Sequence, residues 1–333
     1  MRQWRLALLC VLSIPAVSAP CRAQQAAPAT VDMDAVVVSG VQPGPGMWKV
    51  SKGDHALWIL GTVAPLPGGI EWQADEVRGV LERADQVLGQ PGLDVDADVG
   101  VFRGLLLLPS AMKATKNPDG RTLREILPPE TWARWDAQKQ RYIGRDGGIE
   151  KKRPFIAAQE LYAHAIKHAG LGGKVVTPVI DEVLKRRRMK YTPTTLKITV
   201  EDPKAAIADF RKEQLGAQEL ACMNDMLATV EHDLPRMVER ANAWAVGDLR
   251  ALRALPLTER ESCWSAWTDT EALRKRGLTD IKDRVRARWL EVAGAALEKN
   301  ATTFALLPVE SLLREDGVLS VFAAEGYAVE APE

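Results

Sequence analysis

Two of the four histidines in the chain stand one helical turn apart. His164 and His168 are separated by four residues, and Glu160 precedes His164 by four, so a helix would place all three side chains on one face. Imidazole and carboxylate groups at this spacing can bind zinc. The zinc-protease motif has glutamate directly after its first histidine, whereas this chain has Ala165 there. The three residues also flank an apolar stripe, which favours a solvated helix face over a metal site.

Other residue types limit the chemistry further. Cys222 and Cys263 remain once the N-terminal segment is set aside, and an even number in an oxidising compartment predicts a disulfide. Two buried free thiols are the alternative. No phosphate-binding loop, dinucleotide-binding glycine motif or serine-hydrolase elbow is present. Acidic and basic residues balance at 44 each, so the basic excess typical of a nucleic-acid-binding protein is missing.

The N-terminus predicts a signal peptide over residues 1–23. Arg2 and Arg5 precede an apolar stretch that is too short to span a bilayer, and small residues at 21 and 23 fit cleavage after Ala23. No later apolar run is long enough to anchor the chain in a membrane. We therefore expect an exported protein, periplasmic or secreted, with a flexible arm rich in proline, alanine and glycine over residues 24–45.

Hydrophobic periodicity predicts the elements that must position any site. Strands are predicted in a hairpin over residues 47–61 and at 85–90, 194–200, 302–307 and 327–329. Helices are predicted at 71–84, 151–168, 203–230, 281–297 and 317–324. Strands near both ends around a helical middle indicate an α/β fold, in the α+β sense. Its central mixed β-sheet would be built from the N- and C-terminal segments, with a large helical insertion at about 101–300.

Three segments of the chain carry a resemblance to a known family. They are the pattern W-x-V-S-x-G-x-x-x-L-W-I-L-G-T from Trp48, the segment ANAWAVGDLRAL (Ala241–Leu252), and the terminal segment FALLPVESLLREDGVLSVFAAEGYAV from Phe304. In this order they resemble the TraB/GumN family, relatives of the Tiki metalloproteases. The resemblance implies one domain over residues 46–331 that contains the helical insertion.

The positions that the resemblance assigns to the family's site, or places beside it, are Gly61, Thr62, Ala64, Gln90, Arg286, Glu310 and Ser311. Three of them depart from the family. Ala64 and Ser311 stand where the family's G-x-x-H motifs have histidine, and Gln90 stands where it has glutamate. Alanine has no lone pair, glutamine is no base near neutral pH, and serine is a poor ligand for borderline metals. Because each follows a predicted strand, we expect the three to converge at the carboxyl edge of the sheet.

We interpret the chain as an exported, catalytically silent member of this family, without a metal cofactor. Its cleft would bind a peptide, a glycan or a protein partner. One alternative is a metal-dependent hydrolase with an unorthodox ligand set, Glu310, His55 and Glu71, and another is an envelope scaffold. The segment MDAVVVSG (Met33–Gly40) resembles a TonB box and predicts a TonB-like partner, although such a segment more often pairs with its own sheet edge.

Overall fold

The computed structural model describes residues 37–97, 101–255 and 261–332. The strands are β1 (Val41–Gln42), β2 (Met47–Lys52), β3 (His55–Thr62), β4 (Glu71–Trp72), β5 (Gln86–Leu88), β6 (Leu93–Ala97), β7 (Leu196–Val200), β8 (Thr302–Pro308) and β9 (Ala328–Glu330). The helices are α1 (Asp75–Arg83), α2 (Val101–Ala114), α3 (Leu123–Ile126), α4 (Pro129–Tyr142), α5 (Pro154–His168), α6 (Thr177–Arg187), α7 (Pro203–Lys212), α8 (Ala217–Ala228), α9 (Leu234–Ala245), α10 (Leu249–Ala254), α11 (Glu261–Thr268), α12 (Glu271–Arg274), α13 (Ile281–Lys299), α14 (Val309–Leu313) and α15 (Val318–Ala324).

A five-stranded sheet forms the centre of the domain, in the order β5-β8-β3-β2-β9. β3, β8 and β5 run parallel, and β2 is antiparallel to both of its neighbours, β3 and β9. β2, β3 and β5 come from the N-terminal part of the sequence, whereas β8 and β9 come from its end. The predicted α/β fold class is thereby confirmed, including the mixed sheet assembled from both ends of the sequence around a helical insertion.

The hairpin β2–β3 shows why these residues form a sheet. Gly53 closes its turn with a φ of 62°, a conformation that other residues rarely adopt. Leu57, Ile59 and Leu60 of β3 are fully buried, and Trp48 of β2 is 2% exposed. Ile59 and Leu60 are neighbours that point to opposite faces, so β3 is covered on both, as is usual for a strand in a parallel pair such as β3–β8.

The apolar interior divides into separate clusters. The largest surrounds the central sheet, and a second lies within the helical insertion around Trp135 and Phe155. Cys222 and Cys263 belong to that second cluster and form a disulfide with a Cα–Cα distance of 4.5 Å. The predicted disulfide is confirmed, and it joins α8 to α11.

The predicted helix over residues 203–230 is divided into two. It begins as expected, because the side chain of Asp202 accepts a hydrogen bond of 2.9 Å from the backbone of Ala205. α7 ends at Lys212, and α8 begins at Ala217 after Gly216. A second difference lies before α2, where β6 pairs in parallel with β7 as a separate two-stranded sheet. Only the β7 half of that pair was predicted.

The end of the expected flexible arm belongs to the fold. The backbone N–H of Gly44 donates to the carbonyl oxygen of Ala245 at 2.8 Å, and β1 pairs in parallel with β4. Main-chain hydrogen bonds therefore join residues 41–44 to the domain, which composition does not reveal. The predicted signal peptide, residues 1–23, lies outside the described residues. Within the described ranges, no helix is both long and apolar enough to cross a membrane.

Candidate functional site at the carboxyl edge of the sheet

The carboxyl ends of β5, β8 and β3 lie side by side at one edge of the sheet. Thr62 at the end of β3 pairs in register with Pro308 at the end of β8, and Leu88 of β5 pairs with Ala305. The chain continues from these ends to Ala64, Gln90 and Ser311. The three positions that the resemblance assigns to the family's site therefore follow three adjacent parallel strands. Their functional role stays a prediction.

Two side chains connect the three strand ends. The amide nitrogen Nε2 of Gln90 donates to the hydroxyl Oγ1 of Thr62 at 3.2 Å. That hydroxyl donates in turn to the backbone oxygen of Leu307 in β8 at 3.1 Å. Gln90 thus bridges the β5 end to the β3 end by donating from its neutral amide. An ionised carboxylate at position 90 could only accept a hydrogen bond.

Residues of the helical insertion satisfy the backbone carbonyl groups at this edge. The indole Nε1 of Trp244 in α9 donates to the oxygen of Gly61 at 2.8 Å, and that of Trp289 in α13 donates to Gly89 at 3.2 Å. The hydroxyl of Thr194 lies 2.9 Å from the Gly89 oxygen. Sequence analysis did not assign these side chains to the site. The available signals were the position of Trp244 within the ANAWAVGDL segment and that of Trp289 shortly after Arg286.

Beside this edge, a cleft of about 620 Å³ opens between α11, the first half of α13 and the connection from β8 to α15. Arg286, Glu310 and Ser311 line it, together with Trp264 and Trp289. Gly61, Thr62, Ala64 and Gln90 do not line the cleft; they form the neighbouring sheet edge, where Ala64 and Gln90 are exposed. The structure therefore separates the predicted site residues into two adjoining groups.

The cationic side chains of the cleft are paired with or hydrogen-bonded to other groups of the chain. Arg286 donates to the backbone oxygens of Asp316 and Gly317. The guanidinium of Arg314 lies 2.9 Å from the Asp316 carboxylate, and this hydrogen bond lowers the pKa of Asp316 below its usual value. Lys282 pairs with a carboxylate of α11. These contacts leave the cleft without a free cation among the described residues.

Four carboxylates of the cleft have no ion-pair partner among the described residues: Asp269, Asp280, Asp283 and Glu310. Among the described residues the lining contains six carboxylates and three cations, so their summed formal charge is negative. A negative field in a concave site attracts cationic groups and repels anionic ones. The charge of the cleft therefore favours cationic ligands and disfavours anionic ones.

The residues at the sheet edge do not fit the divalent metal that the family resemblance implies. Ala64 offers a methyl group, the amide N–H of Gln90 is directed to a hydroxyl, and Ser311 offers a weak neutral oxygen. Among the described residues, no group of three histidine, cysteine, aspartate or glutamate side chains is arranged to hold a metal ion. No reaction step can therefore be derived through such a metal here.

The alternative ligand set Glu310, His55 and Glu71 is not brought together. His55 begins β3, whereas Glu310 follows the end of the adjacent β8, so the two lie at opposite ends of parallel strands, about 20 Å apart at 3.3 Å per residue. The Nδ1 atom of His55 instead lies 2.8 Å from the backbone oxygen of Leu297. Glu71 is exposed in β4, which pairs with β1 outside the central sheet.

The helical pair His164 and His168 is solvated, as its place beside the apolar stripe predicted. Both side chains are exposed, and Glu160 forms an ion pair with Lys152. The ring of His168 packs edge-on against Tyr142 with centroids 5.4 Å apart. Glu160 and His168 thus each contact another side chain, and His164 is exposed to solvent.

The segment Met33–Gly40 is described from Val37 onward. The backbone N–H of Val38 donates to Oδ1 of Asn242 at 3.0 Å, and Val37 and Val38 pack against the apolar clusters of the domain. Residues 33–36 lie outside the described residues. The TonB-like partner stays a prediction.

Comparison with known proteins gives one match. Residues 46–331 match the model of the TraB/PrgY/gumN family. No curated protein and no solved structure matches the chain. The match covers the sheet, the helical insertion and the cleft. The chain therefore belongs to the TraB/PrgY/gumN family.

Proposed function

We propose that this protein is an exported binding protein without metal-dependent catalysis, and that its cleft takes up a basic peptide segment. The observation that carries the proposal is the asymmetry of the cleft. Its three cations are held by groups of the chain itself, whereas four of its carboxylates have no ion-pair partner among the described residues. Lysine or arginine side chains of a peptide would supply the missing partners.

The residue types at the sheet edge support the catalytically silent part of the proposal. A metallohydrolase needs several imidazole or carboxylate ligands around one ion and a base beside it. Ala64, Gln90 and Ser311 supply neither, and Glu310, which precedes Ser311 in the chain, lines the cleft. The chain thus keeps a binding cleft beside a sheet edge that has no catalytic donors.

A peptide fits the cleft better than a glycan does. Sugars are usually held on the exposed faces of aromatic rings. Trp289 is 1% exposed, and Trp264 is largely covered by the apolar cluster around Ile281. Trp289 presents no open face and Trp264 is only partly exposed, whereas a volume of about 620 Å³ is sufficient for a few peptide residues.

Calorimetry with the purified mature chain tests this function. The probe is a hexapeptide of alternating lysine and glycine, and the comparison peptide has glutamate in place of lysine. We expect binding of the lysine peptide only, with affinity reduced at least tenfold in the Glu310→Gln/Asp283→Asn variant. The control is Glu325→Gln, an exposed carboxylate outside the cleft.

Equal affinity for both peptides, or no binding at all, would contradict the basic-peptide proposal; complete absence of binding would favour a scaffold role.

Catalysis is tested separately by metal analysis and by peptidase assay with and without a chelator. A stoichiometric divalent metal with chelator-sensitive peptide cleavage would overturn the silent assignment. Export is tested by fractionation of the producing cells, where a full-length precursor confined to the cytoplasm would argue against it.

A further inference from the structure

Helix α2 turns its apolar side chains toward solvent. Leu105, Leu106, Leu108 and Met112 are 56%, 78%, 53% and 69% exposed. Leu107, Ala111 and Ala114 are more covered and lie on the side of α2 that packs toward α7. This is the reverse of an ordinary surface helix, whose apolar stripe faces the interior and whose polar face meets water.

The exposed residues of α2 form one continuous face. At 100° per residue, the six exposed positions between Leu105 and Lys113 fall within an arc of about 160°, and five of them are apolar. Lys113 is the single charged member of the face. Four large apolar side chains in one arc make a patch on the order of several hundred Å², a size that marks interaction sites on soluble proteins.

The charge of this segment identifies the partner. Residues 101–118 contain Arg103, Lys113 and Lys116 and no carboxylate, although the whole chain has a net charge of zero. Lys113 and Lys116 are exposed, and neither has an ion-pair partner among the described residues. An apolar helix face accompanied only by cations is the pattern of helices that lie in the interface of an anionic membrane.

The same charge disfavours a second copy of this chain as the partner. Pairing two α2 faces would bring the lysines of one copy toward those of the other, which costs energy through like-charge repulsion. Spanning the membrane is excluded by length, since the 14 residues of α2 extend about 21 Å and a bilayer core is about 30 Å thick. A helix lying flat on the surface satisfies both constraints.

We propose that α2 is a membrane-surface site, at which Leu105, Leu106, Leu108 and Met112 enter the interface of an anionic bilayer while lysines contact the lipid phosphates. The proposal is independent of the cleft, because none of these residues lines it. It predicts a peripheral protein that is released by salt, since electrostatic attraction to the headgroups is screened within a few ångströms at high ionic strength.

Vesicle flotation of the mature chain tests the proposal. The two probes are vesicles of phosphatidylglycerol with phosphatidylethanolamine, and neutral vesicles of phosphatidylcholine. We expect binding to the anionic vesicles, at least tenfold weaker binding in Leu106→Gln/Met112→Gln, and unchanged binding in Val246→Gln, an exposed apolar control elsewhere. Lys113→Gln/Lys116→Gln should weaken binding about 30-fold, at about fivefold per basic residue near the surface.

Three results would overturn the proposal. One is absence of flotation with either vesicle, and another is undiminished binding by both double variants. The third is a dimer in analytical ultracentrifugation that Leu106→Gln/Met112→Gln dissolves, without vesicle binding by the parent chain, which would assign the face to a second copy. Circular dichroism verifies the fold of each variant, and the lysine pair decides the question if the apolar pair does not fold.

Discussion

Arg153 and Glu219 form an ion pair that is almost entirely withdrawn from solvent, with side chains 1% and 7% exposed. The Nε atom of Arg153 lies 3.1 Å from both carboxylate oxygens of Glu219, and Nη2 lies 2.5 Å from Oε1. The same guanidinium donates to the backbone oxygens of Phe210 and Glu213 at 3.5 and 3.4 Å. One side chain thus connects the beginning of α5, the end of α7 and the first turn of α8.

Replacing Glu219 with glutamine preserves its volume and removes its charge. The guanidinium of Arg153 then remains buried opposite a neutral amide, and removing one partner of a buried pair costs about 3–5 kcal/mol. Replacing both residues with methionine removes both charges, so we expect most of this loss to be recovered. Recovery is incomplete because the two backbone oxygens near Arg153 lose their donor.

Urea unfolding followed by circular dichroism measures these changes. The matched control is Glu271→Gln, which removes one partner of the exposed pair Lys275–Glu271; both side chains there are more than half exposed. An exposed pair of this kind contributes little to stability because water and salt screen it. The reasoning is refuted if Glu219→Gln stays within 1 kcal/mol of the parent chain, or if the double methionine variant is as unstable as the single one.

Three further perturbations probe the insertion and the cleft. Reduction of the disulfide, which closes a loop of 41 residues, should lower the free energy of unfolding by about 4 kcal/mol in urea titrations with and without reductant; coincident curves would contradict this. Gly317→Ala should lower stability by about 1–3 kcal/mol and weaken peptide binding, because the added Cβ would collide with backbone oxygens of the cleft loop. Gly294→Ala places its Cβ in open space on α13 and should raise stability by up to about 1 kcal/mol. Thermal unfolding of both variants measures these two changes. A hydrogen bond from Arg276 lowers the pKa of Asp209 below 3.8, so its stabilisation is present above that pH and is lost as pH falls through the folded-state pKa. The stability difference between the parent chain and Arg276→Gln should therefore shrink below pH 3.8, and a constant difference would exclude this linkage.

The strands of the central sheet were predictable because each carries a local signal. β2 and β3 alternate or cluster apolar residues around a turn that contains Gly53, and β8 is an apolar run that ends at Pro308. Their pairing followed from the family resemblance and from the rule that strands at both ends of a helical segment share a sheet. Local pattern and chain order therefore sufficed for the architecture.

The break between α7 and α8 was missed because the apolar spacing continues across it. Phe210 and Ala217 are seven residues apart, two helical turns, so periodicity alone predicts one uninterrupted helix. Gly216 provided a signal, yet glycine inside a helical pattern often has no structural consequence. β6 was missed for the opposite reason, because its five residues, LDVDA, lack an apolar pattern. Two of them are carboxylates, and the strand pairs only with β7.

The candidate site was predictable in part. That Ala64, Gln90 and Ser311 follow adjacent strands could be anticipated, since parallel strands end at the same edge. The lining of the cleft could not, because Glu310 meets Asp269 and Asp283 only after α11 and α13 have packed against the β8–α15 connection. Contacts between segments so distant in sequence leave no periodic signal.

The sheet edge is held by groups that do not depend on the side chains at positions 64 and 311. The indoles of Trp244 and Trp289 donate to backbone oxygens, and every residue type carries such an oxygen. Ala64 is exposed, and no hydrogen bond of its side chain supports the strands. The side chain at position 64 therefore contributes nothing to the hydrogen bonds that hold this edge. Position 90 differs, because the amide of Gln90 donates to Thr62 and joins two strand ends, whereas a glutamate there could only accept from that hydroxyl. The side chain at position 90 thus supplies a structural hydrogen bond to the sheet edge beside the cleft.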